Sequence, residues 1–372
     1  MALQTSLTAA PTIRDPADFK IFLVSDLWRK VCAAFRGLAS PPTCLRRGPA
    51  RSVPTGPIPA NHRPRILSIP FMSVLVVGTT ALDSIDTPKG SNPKLLGGSA
   101  SHAAVAASFF SPVKLVGVVG DDFPSRYVRL FASRGINVDG LERVKGGQTF
   151  HWHGEYEINM NNRRTINTVL GVIENWSPTL PGPYETTPYV LLANIAPAIQ
   201  HAVLDQVSKS KFVIADTMDL WLNVALDDLL RLLKRVDCLV LNDGEARQLT
   251  SDDNVVSALA KIHRLGPRYV IIKKGEHGSL LSGPEGLFVA PAYPLKKVVD
   301  PTGAGDSFVG GLLGYLATQK TGTPGKNLRR AMIHGSVVAS FCCEGFGLSH
   351  TIKAKRSDIV RRVRELEKLA RF

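Results

Sequence analysis

The sequence predicts a three-layer α/β/α sandwich with a mainly parallel central sheet and a small β-sheet lid. Short, unbroken apolar strands alternate with helical patterns from Met72 to the C-terminus. Repeated βα units of that kind stack into a parallel sheet buried on both faces. One region, residues 147–173, breaks the rhythm by alternating apolar and polar residues, the period of a half-exposed strand. The 372 residues are 44% hydrophobic and 20% charged, so the chain can bury a large core without disulfide staples.

Taken in order, residues 73–78 (SVLVVG) read as a strand ending in glycine, and 99–110 as a buried helix of small apolar residues. Residues 113–120 (VKLVGVVG) form a strand, followed by a helix over 124–134 that Gly135 closes. Residues 147–173 read as a β-hairpin about an Asn161-Asn162 turn. Further strands over about 84–97 complete a lid beside the main sheet. Strand 188–193, a helix near 198–208, strand 212–216, helix 220–235 and strand 237–241 continue the α/β rhythm. Two helices, about 243–250 and 253–264, lead to strand 268–273. Helices near 304–319, 326–343 and 355–370 end the chain.

The first seventy residues are of another kind. Residues 40–71 are proline-rich and carry no acidic residue, which suits no regular core element. Residues 20–36 allow one short amphipathic helix. The expected division is therefore a dispensable extension over 1–71 and one compact domain over 72–372. An organellar transit peptide is the alternative for the Arg-rich, Glu-free segment. The net charge is +14, and ten Lys/Arg against three Asp place half of it in residues 1–71. The remainder is mildly basic, which suits an anionic small molecule as well as it suits DNA; a nucleic-acid reading rests only on the basic tail, and no nucleic-acid partner is expected. No run of about 18 apolar residues exists, so no membrane partner is expected. The five cysteines form no CxxC pair and have no zinc-site spacing, which fits a reducing cytoplasm.

The strongest chemical signal is DPTGAGDSFVGGLLG at 300–314. Gly303, Ala304 and Gly305 are small enough for main-chain N–H groups to approach a ligand, and they open an apolar helix. The N-terminus of a helix favours an anion. Asp306 falls in the first turn beside that anion hole, where a carboxylate can take a proton from a hydroxyl. By spacing alone, a tight turn with Asp306 as a helix cap is the competing reading. Asn242-Asp243-Gly244-Glu245 follows a strand and alone reads as a capped helix start. Lys273-Lys274-Gly275-Glu276-His277-Gly278 alone reads as a surface turn. No GxxxxGK[ST] is present, so the phosphate cradle is not a P-loop.

DPTGAGDSFVGGLL resembles the C-terminal signature of the ribokinase/PfkB family of carbohydrate and nucleoside kinases, and the resemblance extends from Met72 to the C-terminus. It implies a ribokinase-like fold and transfer of the γ-phosphoryl group of ATP to a hydroxyl of a small sugar or polyol, with Mg²⁺. A nucleoside acceptor, or a non-catalytic ligand sensor, is the alternative. By resemblance, Asp306 is the base and Gly303 to Gly305 the anion hole. Asn242 and Glu245 organise Mg²⁺ and the triphosphate, Glu245 through water, while Lys273, Gly275, Gly278 and Thr302 lie along the nucleotide. Gly97 and Gly98 match the family's N-terminal glycine pair at the acceptor, and Asp83 its hydroxyl-binding aspartate. Asp300, Ser340, Gly345 and Ser349 fall where a monovalent cation such as K⁺ is bound.

Two positions depart from the family pattern. His102 replaces an asparagine that often contacts the sugar and reads either as a substrate contact or as a packed helix histidine, and Ser99 replaces a lysine after the glycine pair. The acceptor therefore stays open. Lid residues Trp152, His153 and Tyr156 read either as packing or as a stacking surface. Arg163 and Arg164 read either as solvated turn residues or as a phosphate grip. Asp216 and Asp219 follow a strand and read equally as cleft residues. Cys342 and Cys343 read as packing. Lid strands with open edges allow a homodimer.

Overall fold

The computed structural model describes residues 72–371. The extension expected over 1–71 and its helix at 20–36 lie outside the described residues. In chain order the strands are β1 Val74–Val77, β2 Ala81–Thr87, β3 Gly90–Gly97, β4 Val113–Gly120, β5 Ile136–Val144, β6 His151–Tyr156, β7 Arg163–Val169 and β8 Tyr189–Leu192. They continue with β9 Phe212–Asp216, β10 Cys238–Asn242, β11 Tyr269–Lys273, β12 Ser279–Ser282 and β13 Phe288–Ala290. The helices are α1 Ser99–Ala107, α2 Ser125–Ser133, α3 Pro197–Gln206, α4 Asp219–Val224, α5 Leu226–Leu233, α6 Asp243–Thr250 and α7 Val255–His263. Three more follow, α8 Ala304–Leu316, α9 Pro324–Cys342 and α10 Arg356–Leu369.

Nine strands form the main sheet in the order β13-β12-β11-β10-β9-β8-β1-β4-β5. Pairing is parallel from β11 to β5, and antiparallel for β11–β12 and β12–β13. Strand β1 shows why its four residues are all apolar. Val74 and Val76 point into one core, with α1, α8 and α9, while Leu75 and Val77 point into the other, with α3, α5 and α7. Both faces are covered, so no position on the strand is free to be polar. Each such aliphatic side chain contributes about 1.5–3 kcal/mol through burial. Helix α1 is buried at every residue, and its alanines lie against α8, which fixes the helix that carries Asp306.

A second sheet of four strands, β3-β2-β6-β7, makes the lid. Strands β2 and β6 run parallel, and the other two pairs antiparallel. The hairpin reversal is wider than an Asn161-Asn162 turn. Residues 157–162 form it, Met160 takes a positive φ of 60°, and the Asn159 side chain accepts from the N–H groups of Asn161 and Asn162.

The helix expected over 220–235 is two helices. Ala225, at φ −144° and ψ 33°, leaves the helical region and turns the chain between α4 and α5. Strands β5, β12 and β13 escape a reading by apolar runs. Strand β5 is a partly exposed edge strand (INVDGLERV), so its inward residues are spaced by charges. Strands β12 and β13 are only 4 and 3 residues long. Among the described residues, no helix is long and apolar enough to cross a membrane.

Candidate active site

The carboxyl ends of β1, β9, β10 and β11 converge on the start of α8. In parallel α/β sheets this end carries the ligand cleft. Gly303 takes φ +77° as the N-cap of α8, a conformation that side chains resist. A Cβ there would also fall 2.3 Å from the ring of His102. The N–H of Ala304 is spent inside the turn on the Pro301 carbonyl, at 3.1 Å. The N–H groups of Gly303 and Gly305 meet no protein acceptor among the described residues. They are the free donors of the turn, and Ala304 supplies only its small size.

Asp306 stands one turn into α8, half-buried. Burial raises its carboxyl above the ordinary range, while Lys273 and Arg163 of the lid pull the other way. Lys273 ends β11, and its Nζ lies 3.0 and 3.2 Å from the two oxygens of Asp216, the last residue of β9. Burial alone would lower this ammonium, but Asp216, Glu245 and Asp306 outweigh burial and hold it above its usual range. Burial raises Asp216 against the pull of Lys273. One ammonium thus feels the charge of three carboxylates; among the described residues no three carboxylates converge into a ready metal cage, so a divalent cation here would bind largely through water. A Cβ on Gly305 would come within 3.2 Å of Lys273 Nζ, so this cluster borders the glycine turn.

Asn242 and Glu245 form a reciprocal capping box at α6. Asn242 Oδ1 accepts from the Glu245 N–H at 2.7 Å, and Glu245 Oε2 accepts from the Asn242 N–H at 2.7 Å. The capped-helix reading is therefore the local geometry. The same box buries Glu245 beside Lys273, and burial pushes its carboxyl up to about 7. Beyond β11, Gly275 and Gly278 bound the turn between β11 and β12, both at positive φ. Lys274 N–H donates to the Gly278 carbonyl at 2.8 Å, closing it.

Across the cleft, Asp83 is buried on β2. Its Oδ2 accepts from the Gly98 N–H at 3.2 Å, while Oδ1 is buried without a partner among the described residues. Gly97 leaves the space that this carboxylate fills, since a Cβ there would fall 1.9 Å from Oδ2. Burial pushes Asp83 up to about 7, with Asp306 and Asp300 adding to the rise. A buried acceptor without a donor is costly, and a ligand hydroxyl would satisfy it. Ser99 does not reach toward this cleft. Its hydroxyl donates to the Asn194 carbonyl and accepts from the Thr79 N–H. His102 is packed rather than displayed. Its ring lies against Gly303, its Nδ1 is 3.7 Å from Cys342 Sγ, and burial lowers it to about 4. It is neutral at physiological pH and shapes the turn from behind.

Asp300 is fully buried and braces two loops, accepting from the N–H groups of Thr302 at 2.8 Å and Gly347 at 2.9 Å. Gly345 and Ser349 belong to the second of these loops. The Ser349 hydroxyl donates to the Phe346 carbonyl. The Ser340 hydroxyl is committed elsewhere, to the Val337 carbonyl and the Arg362 guanidinium at 2.6 Å each. Asp216 joins the site as the partner of Lys273. Its only signal in sequence is its place at the end of a strand. His153 turns away to pair with Asp86 at 2.7 Å, and Arg164 pairs with Glu155.

The carboxyls of Asp83 and Glu245 make ligand-free stability depend on pH. Their folded values, about 7, lie above their ordinary values of 3.8 and 4.5. Protons bound in the fold are then lost as pH rises through 7, and stability falls with them. For Asp83 the loss is on the order of 4 kcal/mol. Calorimetry of the ligand-free protein is expected to give a lower Tm at pH 8 than at pH 5.5. Asp83→Asn should flatten that slope and raise Tm at pH 8. A slope unchanged by the substitution would contradict this account of Asp83.

Residues 73–355 match the pfkB family of carbohydrate kinases. The chain is 29% identical over 265 residues to a cytidine kinase of Thermococcus kodakarensis, across 68% of this chain and 91% of that protein. It is 27% identical over 262 residues to a fructokinase of Klebsiella pneumoniae, across 66% of this chain and 84% of that protein. In three dimensions it resembles the nucleoside kinase of Methanocaldococcus jannaschii, an archaeal member of the ribokinase family. The TM-score is 0.65 at 21% identity, over 79% of this chain and 98% of the other.

Proposed function

The chain belongs to the pfkB family of carbohydrate kinases, and on that premise we propose that it moves the γ-phosphoryl group of ATP to a hydroxyl of a small sugar or polyol. One observation carries the acceptor side. Asp83 keeps a buried oxygen without a hydrogen-bond partner among the described residues, and it lies close enough to Asp306 of the glycine turn for that charge to raise its carboxyl. A carboxylate short of a donor is built to accept from a hydroxyl.

In this reading Asp83 and the main chain at Gly97–Gly98 hold the acceptor. Asp306 takes the proton of the attacking hydroxyl, and its raised carboxyl is a stronger base than an ordinary one. The N–H groups of Gly303 and Gly305 receive the charge that develops on the transferred group. Lys273, held by Asp216, adds a fixed positive charge beside the turn. Asn242, Glu245 and the neighbouring carboxylates would hold Mg²⁺ through water, and the metal when bound screens the phosphate charge. Gly275 and Gly278 border the nucleotide. A monovalent cation would lie between the Asp300 loop and the loop of Gly345 and Ser349, without the Ser340 hydroxyl.

A nucleoside is the second reading. Trp152 and Tyr156 lie on the same face of β6, and the Tyr156 hydroxyl meets Thr302 of the glycine turn at 3.2 Å. The Trp152 ring therefore looks onto the cleft, where a base could stack. ATP consumption across sugars, sugar acids, phosphosugars, inositols and nucleosides, with Mg²⁺ and with or without K⁺, separates the readings. Turnover with a free sugar or polyol supports the first reading, and turnover restricted to nucleosides the second. ATP binding without turnover on any acceptor would favour the ligand-sensor alternative, and no ATP binding would overturn the nucleotide site.

A further inference from the structure

Tyr156 ends β6, opposite Arg163, the first residue of β7. Its side chain crosses from the lid sheet to the glycine turn, where the Thr302 hydroxyl donates to the Tyr156 hydroxyl at 3.2 Å. The Tyr156 ring is buried, and burial pushes its hydroxyl up to about 12, so it stays protonated. Thr302 is held at three points. Its N–H donates to Asp300 Oδ1 at 2.8 Å, and its carbonyl accepts from the Cys342 thiol at 3.2 Å. Those two partners come from the main domain, one just before the turn and one at the end of α9. The third comes from the lid.

The next residue after Thr302 is Gly303, whose N–H is a free donor of the turn, and Asp306 follows within the same turn of helix. A shift of Thr302 therefore moves both. We propose that Tyr156 is a positioning residue that couples the seated lid to the glycine turn, so that the donors and Asp306 reach their working geometry when the lid is closed. This rests on the kinase reading above for its effect on turnover, but not for its effect on the turn. The lid then does more than exclude water. Its closed position is read by the groups that handle the phosphoryl group.

Tyr156→Phe removes the hydroxyl and keeps the ring. On the best acceptor, kcat is expected to fall roughly tenfold, the equivalent of one neutral hydrogen bond, with the KM for ATP unchanged. The ratio of ATP hydrolysis to acceptor phosphorylation should rise. Thr302→Val should reproduce the loss, and the Tyr156→Phe/Thr302→Val pair should cost no more than either change alone. Amide exchange on the ligand-free protein reads the coupling without turnover, and Tyr156→Phe should speed exchange across residues 302–306. Unchanged exchange there overturns the proposal whatever the acceptor. So does a wild-type kcat in Tyr156→Phe, or a fully additive double variant. A wild-type protein inactive on every acceptor, with exchange altered as expected, would count against the kinase reading and leave the coupling standing.

Discussion

Asp306→Asn is expected to lower kcat by about 10³- to 10⁴-fold, within the range that loss of a general base produces. The amide keeps the shape of the side chain, so the start of α8 should stay folded. It removes one of the three carboxylates around Lys273, and the affinity for ATP should change only a few-fold. Burial raises the carboxyl of Asp306, so its ionised form weighs on the fold at neutral pH, and the variant should melt higher than wild type at pH 8. Wild-type kcat should climb with pH through the titration of Asp306 and then level. The residual rate of the variant should lack that step. Steady-state kinetics on the best acceptor, with titration calorimetry for ATP, checks both. A kcat within tenfold of wild type would remove Asp306 from the role of base.

The fold was legible where local chemistry and burial agree. VLVV at 74–77 and VKLVGVVG at 113–120 are strands because a sheet covered on both faces selects apolar residues, Lys114 being the exception that reaches out to the Pro183 carbonyl and the Thr187 hydroxyl. The glycine turn at the start of α8 was legible through the resemblance of DPTGAGDSFVGGLL to a family signature, since by spacing alone Asp306 as a helix cap competed with Asp306 as a base. The rest depended on contacts that no spacing announces. Lys273 meets Asp216 across 57 positions of chain, and Tyr156 meets Thr302 across 146. Lys273, Asp216 and Tyr156 each end a strand, and Thr302 lies in a loop, so none announces its partner. NDGE is a capping box, and the box holds Glu245 buried beside Lys273. His102 could be read as contacting substrate or as packed, and packing is what the structure gives it. The ring fills the space behind Gly303 that a Cβ would take. Edge strand β5 was illegible for the opposite reason, since its exposed positions carry charges that mask its period.

The role of His102 sets up the second large effect. Gly303→Ala is expected to lower kcat by roughly 10²- to 10³-fold, the scale of losing one oxyanion-type donor. Two penalties act on the alanine. Its φ of +77° costs an L-residue about 1–2 kcal/mol, and its Cβ would sit 2.3 Å from the His102 ring. That ring cannot retreat cheaply, because every residue of α1 is buried. The turn must therefore yield, and the Gly303 and Gly305 donors rotate away from the transferred group. A double variant with His102→Ala separates the two penalties. It removes the steric clash and leaves the backbone strain, so it should recover part of the stability and part of kcat. Calorimetry and kcat measured on the three variants decide. A Gly303→Ala enzyme within threefold of wild type would mean that these N–H groups do not carry the developing charge. Full recovery in the double variant would mean that sterics alone, and not the left-handed turn, requires glycine there.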